Sequence, residues 1–317
     1  MAARNGRCKC LAGSDACRPS SGEITDAGAC RRLRLDIRAE LGECPVWCQR
    51  SQSLFWVDLN KGLLNRFDPS SGKNESWHMG EPVGSFALCE EEGVVLVALK
   101  SGIYRHGLAT GKRQLIARPE AHLPENRMND GRTDPAGRFW VGSMRDPQDG
   151  SARGTLYRIG AESNCTAMVP GLITSNGLAF SPDGRTLYHS DSYPTVRTVW
   201  AWDFDPADGR IANRRVFIDT HGMPGRPDGG CCDADGCYWM TGNDGWEILR
   251  LTPAGRIDRR IALPIAKPSM VAFGGRALDV LYITSIRPAD VTAQPQAGSL
   301  FALRPGVTGL PEPRFKG

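Results

Sequence analysis

Phe139-Trp140-Val141-Gly142 is a short aromatic and β-branched run that ends on a small residue, and the chain carries six such runs. The others are Phe55-Trp56-Val57-Asp58, Val95-Leu96-Val97-Ala98, Leu187-Tyr188-His189-Ser190, Tyr238-Trp239-Met240-Thr241 and Leu281-Tyr282-Ile283-Thr284. Successive copies lie roughly 40 to 50 residues apart, the length of one four-stranded propeller blade.

A second strand follows each copy. The six are Gly62–Phe67, Gly102–Arg105, Gly154–Arg158, Val199–Phe204, Ile248–Leu251 and Ser299–Leu303. Most run into turn chemistry such as Asp68-Pro69-Ser70-Ser71-Gly72 or Asp205-Pro206-Ala207-Asp208-Gly209. A third, apolar strand precedes each copy, as in Leu178-Ala179-Phe180 before the turn Ser181-Pro182-Asp183-Gly184. No segment sustains a 3.6-residue period, so helices should be few and the fold all-β. The reading is a six-bladed β-propeller of four-stranded antiparallel blades. One blade cannot bury its faces alone, so the ring must close. Leu33, Leu35 and Ile37 alternate with polar residues ahead of the first blade. That N-terminal strand is expected to complete the last sheet. The propeller should occupy 31–317 as a single domain, with 1–30 a weakly ordered extension.

The remaining composition narrows the function classes. The 317 residues have a formal net charge of +4 and no dense basic run with interleaved aromatics, so nucleic acid is not implied. No apolar leader opens the chain and no run approaches membrane-spanning length, so no membrane partner is expected. Eleven cysteines are scattered and odd in number. They fit a reduced, cytoplasmic protein with free thiols. Cys8, Cys10, Cys17 and Cys30 match no strong zinc spacing. A monomer or weak homodimer is expected.

Stepping back about a dozen residues from each signature run reaches the start of the preceding strand. The residues there are Glu43, Gly84, Asn129, Asn176, Asp228 and Met270. Equivalent positions of a propeller face the same region of its axis, so four oxygen-bearing side chains should converge at one mouth of the channel. Taken singly, Asn129-Asp130-Gly131, Asn176-Gly177 and Asp228-Gly229 are turn signals. Their common phase across blades points instead to a site. Buried carboxylates repel, and a divalent cation resolves that. Oxygen donors suit Ca²⁺ first, with Mg²⁺, Mn²⁺ or Zn²⁺ as alternatives. Arg127 lies two residues before Asn129, so on an extended strand it shares the same face.

At these residues the sequence resembles the gluconolactonase and regucalcin (senescence marker protein) family. The matching motifs are Gly-Glu-x-Pro-Val-Trp at 42–47, Arg-x-Asn-Asp-Gly at 127–131, Asp-Pro-Ala-Gly-Arg at 134–138, Ser-Asn-Gly-Leu at 175–178, Pro-Asp-Gly at 227–229 and Phe273-Gly274-Gly275. The resemblance implies hydrolysis of a sugar lactone to its aldonic acid with one bound divalent metal. It implies Glu43, Asn176 and Asp228 as metal ligands, Asp228 as general base, and Arg127 and Asn129 as substrate-binding residues. In regucalcin-like members an acidic residue after Gly-x-Met contacts substrate. Here Gly142-Ser143-Met144 leads to Pro147 at that position, with Asp146 one residue earlier as a substitute. The segment Asn243-Asp244-Gly245-Trp246 looks more like bacterial sugar-acid lactonases. A paraoxonase-like esterase or organophosphatase and a non-enzymatic calcium-binding propeller are the alternatives on the same scaffold.

Overall fold

The computed structural model describes residues 32–160 and 164–317. Strand β1 (Arg32–Leu35) opens it, and the first blade follows as β2 (Gly42–Cys48), β3 (Ser53–Asp58), β4 (Leu63–Phe67) and β5 (Asn74–His78). The same antiparallel meander recurs in the next four blades, and the sixth blade takes its outer strand from β1. The innermost strands of the later blades are β6 (Val83–Leu88), β10 (Asn126–Thr133), β14 (Ser175–Phe180), β18 (Arg226–Cys232) and β22 (Pro268–Gly274). Next to them run β7 (Val94–Leu99), β11 (Phe139–Arg145), β15 (Thr186–Asp191), β19 (Tyr238–Asn243) and β23 (Val280–Ser285), which are the signature runs of the sequence. The inner strands touch in the cyclic order β2, β6, β10, β14, β18, β22 and back to β2. The fold is a six-bladed β-propeller. No helix occurs among the described residues, and so none is long and apolar enough to cross a membrane.

The ring closes as the alternation of Leu33, Leu35 and Ile37 predicts. The last sheet has the order β1, β24 (Leu300–Leu303), β23, β22, with Arg32 opposite Ala302 and Leu33 opposite Phe301. The first and last strands thus share one sheet, which ties the sixth blade to the first.

Burial grades outward, which explains the strand patterns. Signature strands such as β3 and β7 are buried on both faces and read as near-continuous apolar runs. Inner strands are as buried but, like β10, carry polar residues towards the axis, whereas outer strands such as β5 keep polar, exposed residues. Among the described residues there are six buried apolar clusters, one in each gap between neighbouring blades. Phe55, Phe86 and Val97 fill the gap between the first two blades. Trp140, Phe180 and Phe204 fill the gap between the third and fourth, with ring centroids 4.9 to 6.2 Å apart. Each such ring contributes about 1.5–3 kcal/mol by leaving water. A polar device repeats beneath two of them. Asp134 accepts from Trp140 Nε1 (3.0 Å) and Arg138 Nε (2.6 Å). Asp233 likewise accepts from Trp239 Nε1 (2.8 Å) and Arg250 Nε (2.7 Å).

Beyond β24 the chain crosses the channel mouth formed by the C-terminal ends of the inner strands. Gly309 N–H donates to Leu278 O (2.8 Å), Glu312 pairs with Arg132 (2.7 Å), and buried Phe315 pairs with Cys89. This strap covers one end of the axis and leaves the other for the site. Cys44, Cys48, Cys89, Cys165, Cys231, Cys232 and Cys237 are free thiols. Cys8, Cys10, Cys17 and Cys30, and the expectation of a weakly ordered extension at 1–30, lie outside the described residues.

Candidate metal and substrate site

Every innermost strand carries a β-bulge near its start. The register slips between Glu43 and Val46, Val83 and Ser85, Met128 and Gly131, Asn176 and Ala179, Pro227 and Gly230, and Pro268 and Val271. A bulge re-aims side chains, and here it turns them towards the axis. Of the six in-phase positions, Glu43, Asn129, Asn176 and Asp228 line one cavity of about 190 Å³. The other two do not. A Cβ on Gly84 would sit 2.3 Å from Met128 O, so that position is a close contact between blades. Met270 joins the apolar core.

The cavity has two tiers. The deeper holds Glu43, Asn129, Asn176 and Asp228; the outer holds the residues two earlier on each strand, Leu41, Arg127, Thr174 and Arg226. Met144, Gln148, Ser192, Asn243 and Ile286 complete the wall. The offset of two that singles out Arg127 in the sequence therefore holds in all four blades. Applied uniformly, it finds Leu41, Thr174 and Arg226 as well. Ser192 and Gln148 follow signature strands and carry no comparable signal, and Asn243, which ends one, opens the Asn243-Asp244-Gly245-Trp246 segment already noted in the sequence.

Two buried aspartates fix the approach to these strands. Asp58 accepts from the backbone N–H groups of Glu40 (3.1 Å) and Leu41 (3.2 Å), just ahead of Glu43. Asp191 accepts from Ile173 (2.7 Å) and Thr174 (3.0 Å), just ahead of Asn176, and from Tyr193 (3.0 Å). Both end a signature strand, and each clamps the approach to the inner strand of its own blade.

A hydrogen-bond chain spans the floor. Arg127 Nη1 donates to Asn129 Oδ1 (2.6 Å) and Met128 O (3.1 Å). Asn129 Nδ2 donates to Asn176 Oδ1 (2.7 Å) and Ser175 O (2.8 Å), and Asn176 Nδ2 donates to Ser192 Oγ (2.7 Å). This order fixes the amide of Asn176, with Oδ1 accepting from Asn129 and Nδ2 turned to Ser192, in the cavity that Glu43 and Asp228 also line. Asn243 Nδ2 donates to Asp228 Oδ2 (2.6 Å), and Oδ1 has no hydrogen-bond partner among the described residues. Asp146 does not line the cavity. Its Oδ2 accepts from Arg127 Nε at 2.9 Å, so it anchors the arginine.

The electrostatics are unfavourable as they stand. Burial pushes the Asp228 carboxyl up to about 7, with Asp130 adding repulsion and Asn243, Arg226 and Lys267 opposing. Burial, then Asp228 and Asp130, raise Glu43 well above the usual carboxylate range. Glu43 has the Cys44 backbone N–H in its favour but no ion-pair partner among the described residues. Desolvation also lowers Arg127, although Asp146, Glu43 and Asp228 counter it. Two uncompensated carboxylates beside a carboxamide oxygen form a donor set that fits a hard divalent cation. Among the described residues no three His, Cys, Asp or Glu side chains converge, so a ligand set here would need an amide oxygen beside the two carboxylates.

The family model described as the SMP-30/Gluconolactonase/LRE-like region matches residues 41–287. A 6-deoxy-6-sulfogluconolactonase of Pseudomonas putida is 43% identical over 284 residues, covering 87% of this chain and 95% of that protein. An L-arabinolactonase of Azospirillum brasilense is 35% identical, covering 90% and 95%. The crystal structure of a calcium-binding protein, regucalcin, from Agrobacterium tumefaciens superposes with a TM-score of 0.86 at 28% identity, covering 91% of this chain and 98% of that one. Fold, motifs and matched span agree, and the chain belongs to the SMP-30/gluconolactonase/LRE-like family.

Proposed function

We propose that this chain is a metal-dependent lactonase that opens a sugar lactone to its aldonic acid. The observation that carries the reading is the convergence of Glu43, Arg127, Asn129, Asn176 and Asp228 on one small polar cavity at an uncovered mouth of the propeller. The lactonase names of the P. putida and A. brasilense relatives support the reaction class. Glu43, Asn176 and Asp228 would hold the divalent cation, Ca²⁺ in the first instance, as the calcium-binding description of the A. tumefaciens structure suggests. When bound, it would supply Lewis acidity and offset the carboxylate repulsion.

The chain's own residues do the rest. Asp228, held by Asn243, presents Oδ1 to a water and takes its proton as the water oxygen bonds to the lactone carbonyl carbon. The ring C–O bond then breaks, and the proton passes to the departing ring oxygen as the hydroxyl forms. Arg127 is fixed through Nε and Nη1, which leaves Nη2 without a partner among the described residues and free for substrate oxygen. Asn129 has both ends engaged, so it positions Arg127 and Asn176 as much as it meets substrate.

Turnover of pentono- and hexonolactones against phenyl acetate and a phosphotriester tests the assignment. The expected result is preference for the lactones and a loss of at least about a hundredfold in kcat for Asp228→Asn, the scale of a lost general base. Wild-type rates in that variant, or preference for the aryl ester, would count against it.

A further inference from the structure

We propose that the rim of this cavity carries an oxyanion subsite, built by Arg226 and Lys267, that selects lactones with a carboxylate, sulfonate or phosphate at the end remote from the lactone carbonyl. The inference rests on the lactonase reading and names a substrate class within it.

Arg226 belongs to the outer tier, two residues before Asp228 on β18, about 7 Å along an extended strand. Its guanidinium is poorly satisfied. Nη2 lies 3.4 Å from Asn243 Oδ1 and 3.4 Å from Asp244 Oδ2, both at the long end of useful contact. Nε is buried without a partner. The nearby carboxylate is already engaged, because Lys267 Nζ holds Asp244 Oδ1 at 2.7 Å. Two cations therefore share one ion-paired carboxylate, and with Asp228 given over to the divalent cation a surplus positive charge would remain at the rim. Arg127, the other cation of the outer tier, has Asp146 to itself at 2.9 Å and carries no such surplus.

The arrangement is rigidly built. Arg197 Nη2 donates to Met223 O and Gly225 O, both at 2.8 Å, and so ties down the loop that delivers Arg226. A Cβ on Gly245 would lie 2.8 Å from Gly225 N, and one on Gly225 would lie 2.7 Å from the Gly242 carbonyl carbon. Only glycines let the turn after β19 press against that loop. The turn also holds two side-chain-bearing residues at positive φ, Asp244 (70°) and Trp246 (59°). Backbone held in this region needs support from its surroundings, and here it places Asp244 between the two cations.

Charge sets the substrate's direction. Glu43 and Asp228 at the floor would be given over to the divalent cation and so to the lactone carbonyl, while the rim attracts an anion. A lactone with a terminal oxyanion would point its carbonyl at the floor and its charge at Arg226, where a guanidinium with unmet donors gains charge-assisted hydrogen bonds.

The test compares kcat/KM for gluconolactone with that for its 6-sulfo, 6-phospho and 6-carboxyl counterparts, and titrates the ring-opened acids in parallel by calorimetry. The expected wild-type preference for a charged form is at least about tenfold, the effect of one charge-assisted hydrogen bond. Arg226→Met and Lys267→Met should each collapse that ratio, chiefly through KM, and Arg226→Lys should restore part of it. Asp244→Asn, with an asparagine that tolerates the left-handed backbone, should raise it. A wild-type ratio near one, or a ratio unchanged in both methionine variants, would overturn the subsite. Turnover of no lactone would instead overturn the lactonase reading. The titrations then decide the subsite alone: tighter binding of the terminally charged acids supports it, and equal binding refutes it.

Discussion

Replacing Asp228 by Asn should stabilise the metal-free protein while disabling it. Burial moves this carboxyl from 3.8 to about 7. Each unit is worth about 1.4 kcal/mol, so ionising it in the folded chain at pH 8 costs on the order of 4 kcal/mol. The sign follows from proton counts. Between the unfolded value near 4 and the folded value near 7, the native state keeps a proton that the unfolded chain has lost, so stability falls as pH rises through this window. An asparagine keeps an acceptor for Asn243 Nδ2 and removes the charge. Allowing half the cost for imperfect replacement leaves about 2 kcal/mol, or roughly 4 °C in Tm for a chain of this size. Calorimetry with chelator at pH 8 and pH 4 reads it. The variant should melt higher at pH 8, and the gap should close at pH 4. With saturating divalent metal the order should reverse, because ligand binding stabilises only the protein that binds it. A chelated variant that melts lower than wild type at pH 8, by as much as at pH 4, would refute the view that this carboxylate is held against its preference.

Other expectations test the frame around the site. Asp191→Ala strips the acceptor from two backbone N–H groups just ahead of Asn176, those of Ile173 and Thr174, and from that of Tyr193. It should cost about 2–3 kcal/mol in urea unfolding and also lower kcat/KM on a lactone. Phe315→Ala opens a hole under the strap at the far mouth, where the ring is 1% exposed. It should cost about 3–5 kcal/mol and leave kcat/KM unchanged. Burial holds His189 neutral, with its pKa lowered from 6.5 to about 3. Its contribution is complete above pH 6.5 and fades as pH falls, so the wild-type unfolding free energy should drop about 1.4 kcal/mol per pH unit more steeply than that of His189→Gln between pH 6 and 4.

The sequence carries the ring in plain view because each blade repeats the same buried run, and a blade is buried on both faces wherever it sits. Leu35 and Ile37 mark the closing strand for the same reason: an edge in a closed ring needs an apolar partner. The site is legible where chemistry and phase coincide, at Glu43, Asn129, Asn176 and Asp228. Gly84 and Met270 share that phase, yet they pack against neighbouring blades, because phase fixes the position of a side chain and not its use. Arg226 escapes notice because Pro227-Asp228-Gly229 reads first as a turn. Asn243 and Ser192 reach the cavity only through the pairing of signature strands with inner strands, which no spacing along one strand reveals. Asp146 keeps its place beside Arg127 but serves it as a counter-ion.

The central claim is that a divalent cation on Glu43, Asn176 and Asp228 makes this cavity a lactonase. The direct measurement is continuous acid release from gluconolactone by protein stripped with chelator and then titrated with Ca²⁺, Mg²⁺, Mn²⁺ or Zn²⁺. The account predicts background rates when stripped, recovery at one equivalent of at least one of these ions, and no recovery in Asp228→Asn. Full activity in the stripped protein, or recovery in that variant equal to wild type, would contradict it.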